Sequence, residues 1–354
     1  VYAFCTVPTT PADRLNVHQT TINMLSDDVL PEIFNFVVND RKARISQWHT
    51  LIHVCRRWRC VVFASPRHLN LRLAFTGLRP VSEMLDTWPV LPVAITHRTS
   101  AFPSRPPPLL LDSIWHNIAA TLDSEHYSRI CEIDLDGIPN SQMERFAEVM
   151  QKPFPELTLL HLSVGVPAGN IAAAAFPNSL FGGSIPRLRE LWLDNCHFPT
   201  LHKLLLSAGG LVILHLWNIP HSEHISPEAM VVALSVMTRL ETLHLKFRSP
   251  HSRPGPGSRH PPPPARLVLQ AITELVFQGV HEYLEDLVAQ IDTPLLYTLR
   301  IVFFMDIAFD VPHLHQFIDR AESLKKLIRP VVFIFNRKIE LALSLEYITA
   351  GSSR

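Results

Sequence analysis

The chain has 354 residues, 47% of them hydrophobic and 18% charged, which suits globular packing and exceeds a single compact core, so two structural units are expected. Thirty-two Lys and Arg balance thirty-two Asp and Glu, which removes the electrostatic footprint of a nucleic-acid binder or of a protein drawn to anionic membranes. Five scattered cysteines without CxxC or zinc spacing, and no Asn-x-Ser/Thr sequon, point to reduced thiols in the cytosol or nucleus.

Residues 1–20 show no periodicity and read as an unstructured lead-in; their opening lacks the basic-then-apolar pattern of a signal peptide. From Ile22 the pattern turns helical. Ser26 is an expected cap, Asp27 and Asp28 suit the positive end of the helix dipole, and Val29, Leu30, Ile33, Phe34 and Val37 recur at helical spacing. After a charged loop at 39–44, a second helix is expected to open at Ser46, to carry Trp48, Leu51, Ile52, Val54, Cys55, Trp58, Val61 and Val62, and to stop at Ser65-Pro66. Cys55 reads as a buried core residue.

Beyond Pro66 the sequence repeats. Leu-x-x-Leu-x-Leu occurs at Leu157/Leu160/Leu162, Leu188/Leu191/Leu193, Leu211/Leu214/Leu216 and Leu240/Leu243/Leu245. Looser versions stand at Ile130/Ile133/Leu135, Ile272/Leu275/Phe277 and Leu296/Leu299/Ile301. The spacing of about 23 to 32 residues is that of leucine-rich repeats with irregular members. Helices are expected between these strands, over 142–151 capped by Ser141, after Ser226-Pro227-Glu228, and ending at Gly209-Gly210. Earlier, Leu69/Leu71/Leu73/Phe75 alternates as a strand, 81–88 reads as a helix and 92–96 as a strand. Two low-complexity stretches, 97–108 and the Pro-rich 249–265, hold too little apolar surface to fold and read as insertions. Strands are also expected at 331–335 and 339–344. The apolar stretch from Leu204 to Pro220 reads as helix end, turn and strand, not as a membrane span.

The segment Leu25-Ser-Asp-Asp-Val-Leu-Pro-Glu-Ile-Phe34, followed by Trp48-His-Thr-Leu-Ile-His-Val-Cys-Arg-Arg-Trp58, resembles an F-box. With the stretches from Phe63 to Leu73 and from Leu85 to Pro92, it is similar to a large family of fungal F-box proteins with degenerate leucine-rich repeats. The match departs from the family pattern at Ser26, where many members have Pro, and at Pro31, which falls inside the first helix and removes a backbone donor. The resemblance implies an α/β architecture, with a helical F-box over 21–66 and an irregular leucine-rich-repeat-like solenoid of parallel strands over 67–354. It also implies a function: a non-catalytic substrate-recognition subunit of an SCF-type cullin–RING ubiquitin ligase, whose F-box binds the adaptor subunit while the repeats hold a protein substrate.

The apolar residues Leu25, Val29, Leu30, Ile33, Phe34, Val54 and Trp58 are the expected adaptor contacts, because so small a helical unit has little core of its own. The alternative is that these helices only cap the repeats of an interaction scaffold. In each strand the residue between the last two aliphatics points away from the core. This gives one column of Asp134, His161, Trp192, His215, His244, Val276 and Arg300, and a second of Asp136, Ser163, Asp194, Trp217, Lys246, Gln278 and Val302. His161, Trp192, His215, Trp217, His244 and Arg300 are the expected substrate-facing residues, with coverage of the tryptophans by a rim loop as the alternative. The stacked histidines lack a carboxylate or Cys completing a tetrahedral metal set. No GxSxG, GxGxxG, Walker loop or HExxH occurs, so neither catalytic residues nor a cofactor are assigned.

Overall fold

The computed structural model describes residues 22–38, 48–66, 68–85, 90–98, 107–165, 176, 180–219, 225–248, 265–304, 311–325, 331–335 and 338–344. The expected lead-in, the 39–44 loop, Ser46 and most of both low-complexity stretches lie outside these residues. The chain divides into two compact units, Val1–Leu73 and Ala74–Arg354.

The first unit holds three helices, α1 (Val29–Val38), α2 (Trp48–Ile52) and α3 (Arg56–Ala64). The Ser26 carbonyl accepts from the Val29 and Leu30 amides, at 3.2 and 3.3 Å. The next donor of that ladder is missing because residue 31 is proline, and the regular helix starts at Val29. Pro31 therefore sits in the first turn, where the cost of its missing N–H is smallest. The second expected helix is broken in two. Cys55 has extended backbone, φ −159° and ψ 170°, and its sulfur accepts the Trp58 amide at 3.5 Å, capping α3. Cys55 is exposed, which corrects the reading of it as core.

Leu30, Phe34, Trp48, Leu51, Ile52, Val61, Val62, Leu69 and Leu71 form the interior of this unit. Phe34 packs on Trp58 with ring centroids 4.6 Å apart. The Trp48 indole N–H donates to the Arg72 carbonyl at 2.8 Å, so this aromatic is buried without an orphaned donor. Arg57 ties α3 to the approach to α1, donating to Asp27 Oδ1 at 2.8 Å and to the Leu25 carbonyl.

The second unit is α/β. Beginning with β1 (Leu73–Phe75) at the division, it continues through α4 (Val81–Leu85), β2 (Val93–His97), α5 (Pro108–Asp123), β3 (Ile130–Ile138), α6 (Met143–Val149), β4 (Leu159–Val164) and β5 (Glu190–Asp194). There follow α7 (Leu201–Leu206), β6 (Ile213–Ile219), α8 (Pro227–Val236), β7 (Thr242–Phe247), β8 (Leu267–Val268), β9 (Glu274–Gly279), α9 (His281–Val288), β10 (Ile291–Asp292), β11 (Thr298–Phe303), α10 (Pro312–Arg320), α11 (Glu322–Lys325), β12 (Val331–Phe335) and β13 (Lys338–Ser344). The main sheet is open, in the order β1-β2-β3-β4-β5-β6-β7-β9-β11-β13-β12. Every neighbouring pair from β2 to β11 is parallel, whereas β13 pairs antiparallel with both β11 and β12. No described helix is long and apolar enough to cross a membrane.

The repeated triplets set this register. Ile133, Leu160, Leu191, Leu214, Leu243, Leu275 and Leu299 are partners in successive strands, as are Leu135, Leu162, Leu193, Leu216, Leu245, Phe277 and Ile301. All fourteen are buried in one continuous core. A period of two makes one face apolar along its whole length, so a one-residue slip would expose every one of these side chains. Helices α7, α8, α9 and α10 pack each against the next, as their strands do.

Some local expectations need correction. His97 is the buried last residue of β2 and Pro108 the first of α5, so the first low-complexity stretch is shorter than expected at both ends. Helix α5 was not anticipated, although Ile114, Trp115, Ile118, Ala119 and Leu122 repeat with helical period and are all buried. Ser141 lies in a 3-10 turn and α6 begins at Met143 without a side-chain cap. The strand expected over 69–75 is regular only from Leu73, after Asn70 at φ +49°. Helix α7 stops at Leu206, before Gly209, with the Ser207 hydroxyl donating to the Leu204 carbonyl at 2.8 Å. Ser226 does cap α8, its hydroxyl oxygen accepting the Ala229 amide at 3.2 Å.

Candidate protein-interaction surfaces

Two surfaces carry the candidate residues, one in each unit. On α1, Val29, Ile33 and Phe36 fall at i, i+4 and i+7, one stripe of the helix. Phe36 is 81% exposed, Val29 and Val37 each 43%, and Val54 on the loop before α3 58%. Ile33, Leu25 and Trp58 are half-buried. Leu30 and Phe34, expected as partner contacts, instead hold the helices together, because they occupy the edge of the apolar face of α1 that is buried. Phe36 was missed, though a helical wheel drawn from Val29 places it beside that residue.

The second surface is the sheet face opposite the core in Ala74–Arg354. The register assembles the first column as expected: Asp134 opposite His161, then Trp192, His215, His244, Val276 and Arg300, each beside the next. In the second column Ser163, Asp194 and Trp217 are partners, and Lys246 lies beside Gln278, which lies beside Val302.

At one end the buried Asp134 carboxylate accepts from Arg98 Nε at 2.7 Å and pairs with His161 Nδ1 at 2.7 Å. Burial works against its charge, but the bonds from His161 and Arg98 outweigh it and hold its pKa below the ordinary carboxylate value. The rings then run on across four strands. His161 and Trp192 have centroids 5.7 Å apart, Trp192 and His215 3.9 Å, and His215 and His244 3.8 Å. Trp217 stacks 11° from parallel with His215, and the Lys246 ammonium sits 4.3 Å above the Trp217 ring in a cation–π contact. His244 Nε2 lies 3.0 Å from Glu274 Oε1; since a carboxylate only accepts, Nε2 carries the proton and Nδ1 is the bare nitrogen.

His215 is 6% exposed, which departs from the expectation that it faces a partner directly. Its pKa falls from 6.5 to about 3, chiefly through burial and then through His244, Lys246 and His161 nearby. His244 is also lowered, by burial first, with Glu274 pulling the other way. Both imidazoles are therefore neutral near pH 7. His161, Trp192, Trp217 and His244 are partly exposed and Arg300 is exposed, so the face offers aromatic surface at its centre and a guanidinium toward β11. Such a surface can bind by stacking and apolar contact; among the described residues no group of three or more His, Cys, Asp or Glu is placed to hold a metal ion. A separate cleft of about 270 Å³ is lined by Leu234, Met237, Thr238, Leu267 and Gln270 among others, none of them in either column.

No family model matches the chain, and no curated protein matches it either.

Proposed function

We propose that the chain is the substrate-recognition subunit of an SCF-type cullin–RING ubiquitin ligase, acting in the cytosol or nucleus. On this reading residues 21–66 are an F-box and the second unit is an irregular leucine-rich-repeat-like solenoid. The observation that carries it is the α1 stripe. Val29 and Phe36, together with the exposed Val37 and Val54, present large apolar side chains to solvent, while the interior is already filled by Leu30 and Phe34. Exposed aromatic and aliphatic anchors on a preformed helix are what a helix-in-groove partner takes. They lie in the segment whose Leu-Pro-Glu and Cys-Arg-Arg-Trp elements resemble the F-box. The aromatic column of the sheet face then holds a protein substrate for ubiquitin transfer.

The test is capture of the purified ligase adaptor by the full chain. Phe36→Asp combined with Val54→Asp removes capture while the far-ultraviolet circular dichroism stays that of the parent. Undiminished capture by this double variant would refute the assigned contact surface.

A second reading, an interaction scaffold whose helices serve only a structural role, draws on the burial of Leu30, Phe34 and Trp48. It predicts no adaptor capture by the parent chain and a repeat unit destabilised by deletion of residues 1–66.

A further inference from the structure

Four buried ring nitrogens converge at the centre of the sheet face without a hydrogen-bond partner: both of His215, Nδ1 of His244 and Nε1 of Trp217. Buried polar atoms in a native fold are nearly always paired, so a local cluster of exceptions marks a place where the arrangement is held against a cost. The geometry adds to it. The two imidazoles lie 3.8 Å apart and 4° from parallel, in direct ring-to-ring contact that leaves no room for water between them to solvate a charge. Trp192 leans on His215 from the other side at 3.9 Å, and Trp217 is near parallel to both histidines, 11° from His215 and 8° from His244.

We propose that the His215–His244 stack is a proton-sensitive latch, which while neutral holds Trp192 and Trp217 in one continuous ring surface and which opens when either imidazole takes up a second ring proton from solvent. An imidazolium wedged in this stack would face a parallel ring on one side, with its new N–H buried and unpaired. The charged groups on the elements around it are His161 on β4, Glu190 and Asp194 on β5, Lys246 on β7, Glu274 on β9 and Arg300 on β11. Asp194 accepts from Asn218 Nδ2 at 2.6 Å, and Glu274 already accepts from His244. Lys246 opposes a charge on either ring and Arg300 one on His244, while Glu274 favours a charge on His244. Proton uptake thus starts at His244 and sets a cation against His215. Swinging one ring out to water relieves both the charge and the orphaned nitrogens, so opening falls below pH 6.5, the ordinary histidine value beneath which both rings are held.

The experiment follows tryptophan emission and its quenching by acrylamide in the full chain from pH 7.5 to 3.5, alongside far-ultraviolet circular dichroism. Acidification should raise quenching reversibly, by about half or more, before the dichroism changes; the rise should be absent from His215→Phe/His244→Phe and from Trp192→Phe/Trp217→Phe. A rise that survives in the histidine double variant, or that appears only together with loss of secondary structure, overturns the latch. Should the double variant fail to fold, carbon-13 labelling of the parent's histidines decides, with His215→Gln and His244→Gln assigning the signals. Two imidazoles titrating independently near 6.5 overturn the proposal; depressed and mutually coupled titrations support it.

Discussion

Glu285 on α9 closes the open end of the helix to which Leu314 belongs. Its two carboxylate oxygens accept the His313 and Leu314 amides at 2.9 and 2.8 Å, although they are 28 and 29 residues away in the chain. Helix α10 has Val311 before it, which has no side chain able to cap, and Pro312 at its first position. A neighbouring helix supplies the cap, and a negative charge at a helix N-terminus is also favoured by the dipole.

Removing this carboxylate leaves two amides at the start of α10 without acceptors. Glu285→Ala should cost about 1–3 kcal/mol, and Glu285→Gln, which keeps one acceptor oxygen, about 1 kcal/mol. Urea denaturation followed by circular dichroism separates them; equal, negligible losses would show that the α10 terminus is satisfied in another way.

Leu30 and Phe36 lie on the same short helix with opposite consequences. Leu30→Asp places an unpaired charge in the filled interior of Val1–Leu73 and should cost several kcal/mol, unfolding that unit. Phe36→Asp changes an exposed position and should shift stability by no more than about 0.5 kcal/mol. Limited proteolysis reads the difference directly, since only the first variant should be cut rapidly within 22–66.

Gly77 has φ +76°, and a Cβ there would stand 2.7 Å from the Ile114 carbonyl oxygen and 2.9 Å from the Ile114 and Ile118 side chains. Its own carbonyl accepts from Asn117 Nδ2 at 2.8 Å, so the turn is pinned against α5 from two directions. Gly77→Ala should lower stability by about 2 kcal/mol or more, combining the left-handed backbone penalty with displacement of α5. Gly183, at φ +81° with open space around it, should lose only the backbone part, about 1 kcal/mol, on the same substitution. Thermal unfolding of the two variants side by side checks the contrast.

The depressed pKa of His215 fixes a sign for stability against pH. Unfolded, this group titrates near 6.5; folded, it does so at about 3, so between those values the unfolded chain binds more protons. Its contribution is complete above pH 6.5 and is lost as pH falls through the window toward 3, at no more than about 1.4 kcal/mol per pH unit. His215→Phe should flatten that part of the profile. A profile for the variant with the parent's slope between pH 6 and 4 would locate the titrating group elsewhere.

What could be read from the sequence follows the range of the forces involved. The aliphatic triplets announce their burial because alternation is imposed strand by strand, and from it the columns Asp134–Arg300 and Asp136–Val302 follow without knowledge of the tertiary structure. Ser226-Pro227-Glu228 was equally readable, because a cap is a contact within four residues. The bond between Glu285 and the α10 amides was not, since nothing near Pro312 signals an acceptor 28 residues away. Nor was the inward turn of Leu30 and Phe34: periodicity identifies the apolar stripe of a helix but not which half of a wide stripe meets its neighbours. In the region of α5 a helical pattern stands at Ile114, Trp115, Ile118 and Leu122, but no capping side chain or strand triplet marks its start. At the sheet centre the neighbours of His215 were legible, whereas its burial depends on the bulk of Trp192 and Trp217 beside it.

From β3 to β9, each strand of the main sheet hydrogen-bonds only to the strands before and after it in chain order, once the short β8 and β10, which pair with each other, are set aside. Residues 249–264 and β8 come between β7 and β9, yet Thr242 meets Glu274 and Lys246 meets Gln278 in unbroken register. Lengthening a connection adds only its closure entropy, about 0.6 kcal/mol for each doubling. Such a ladder can therefore lengthen or replace the segments between its rungs at little thermodynamic penalty, which separates the freedom of its borders to vary from the rigidity of the face they surround.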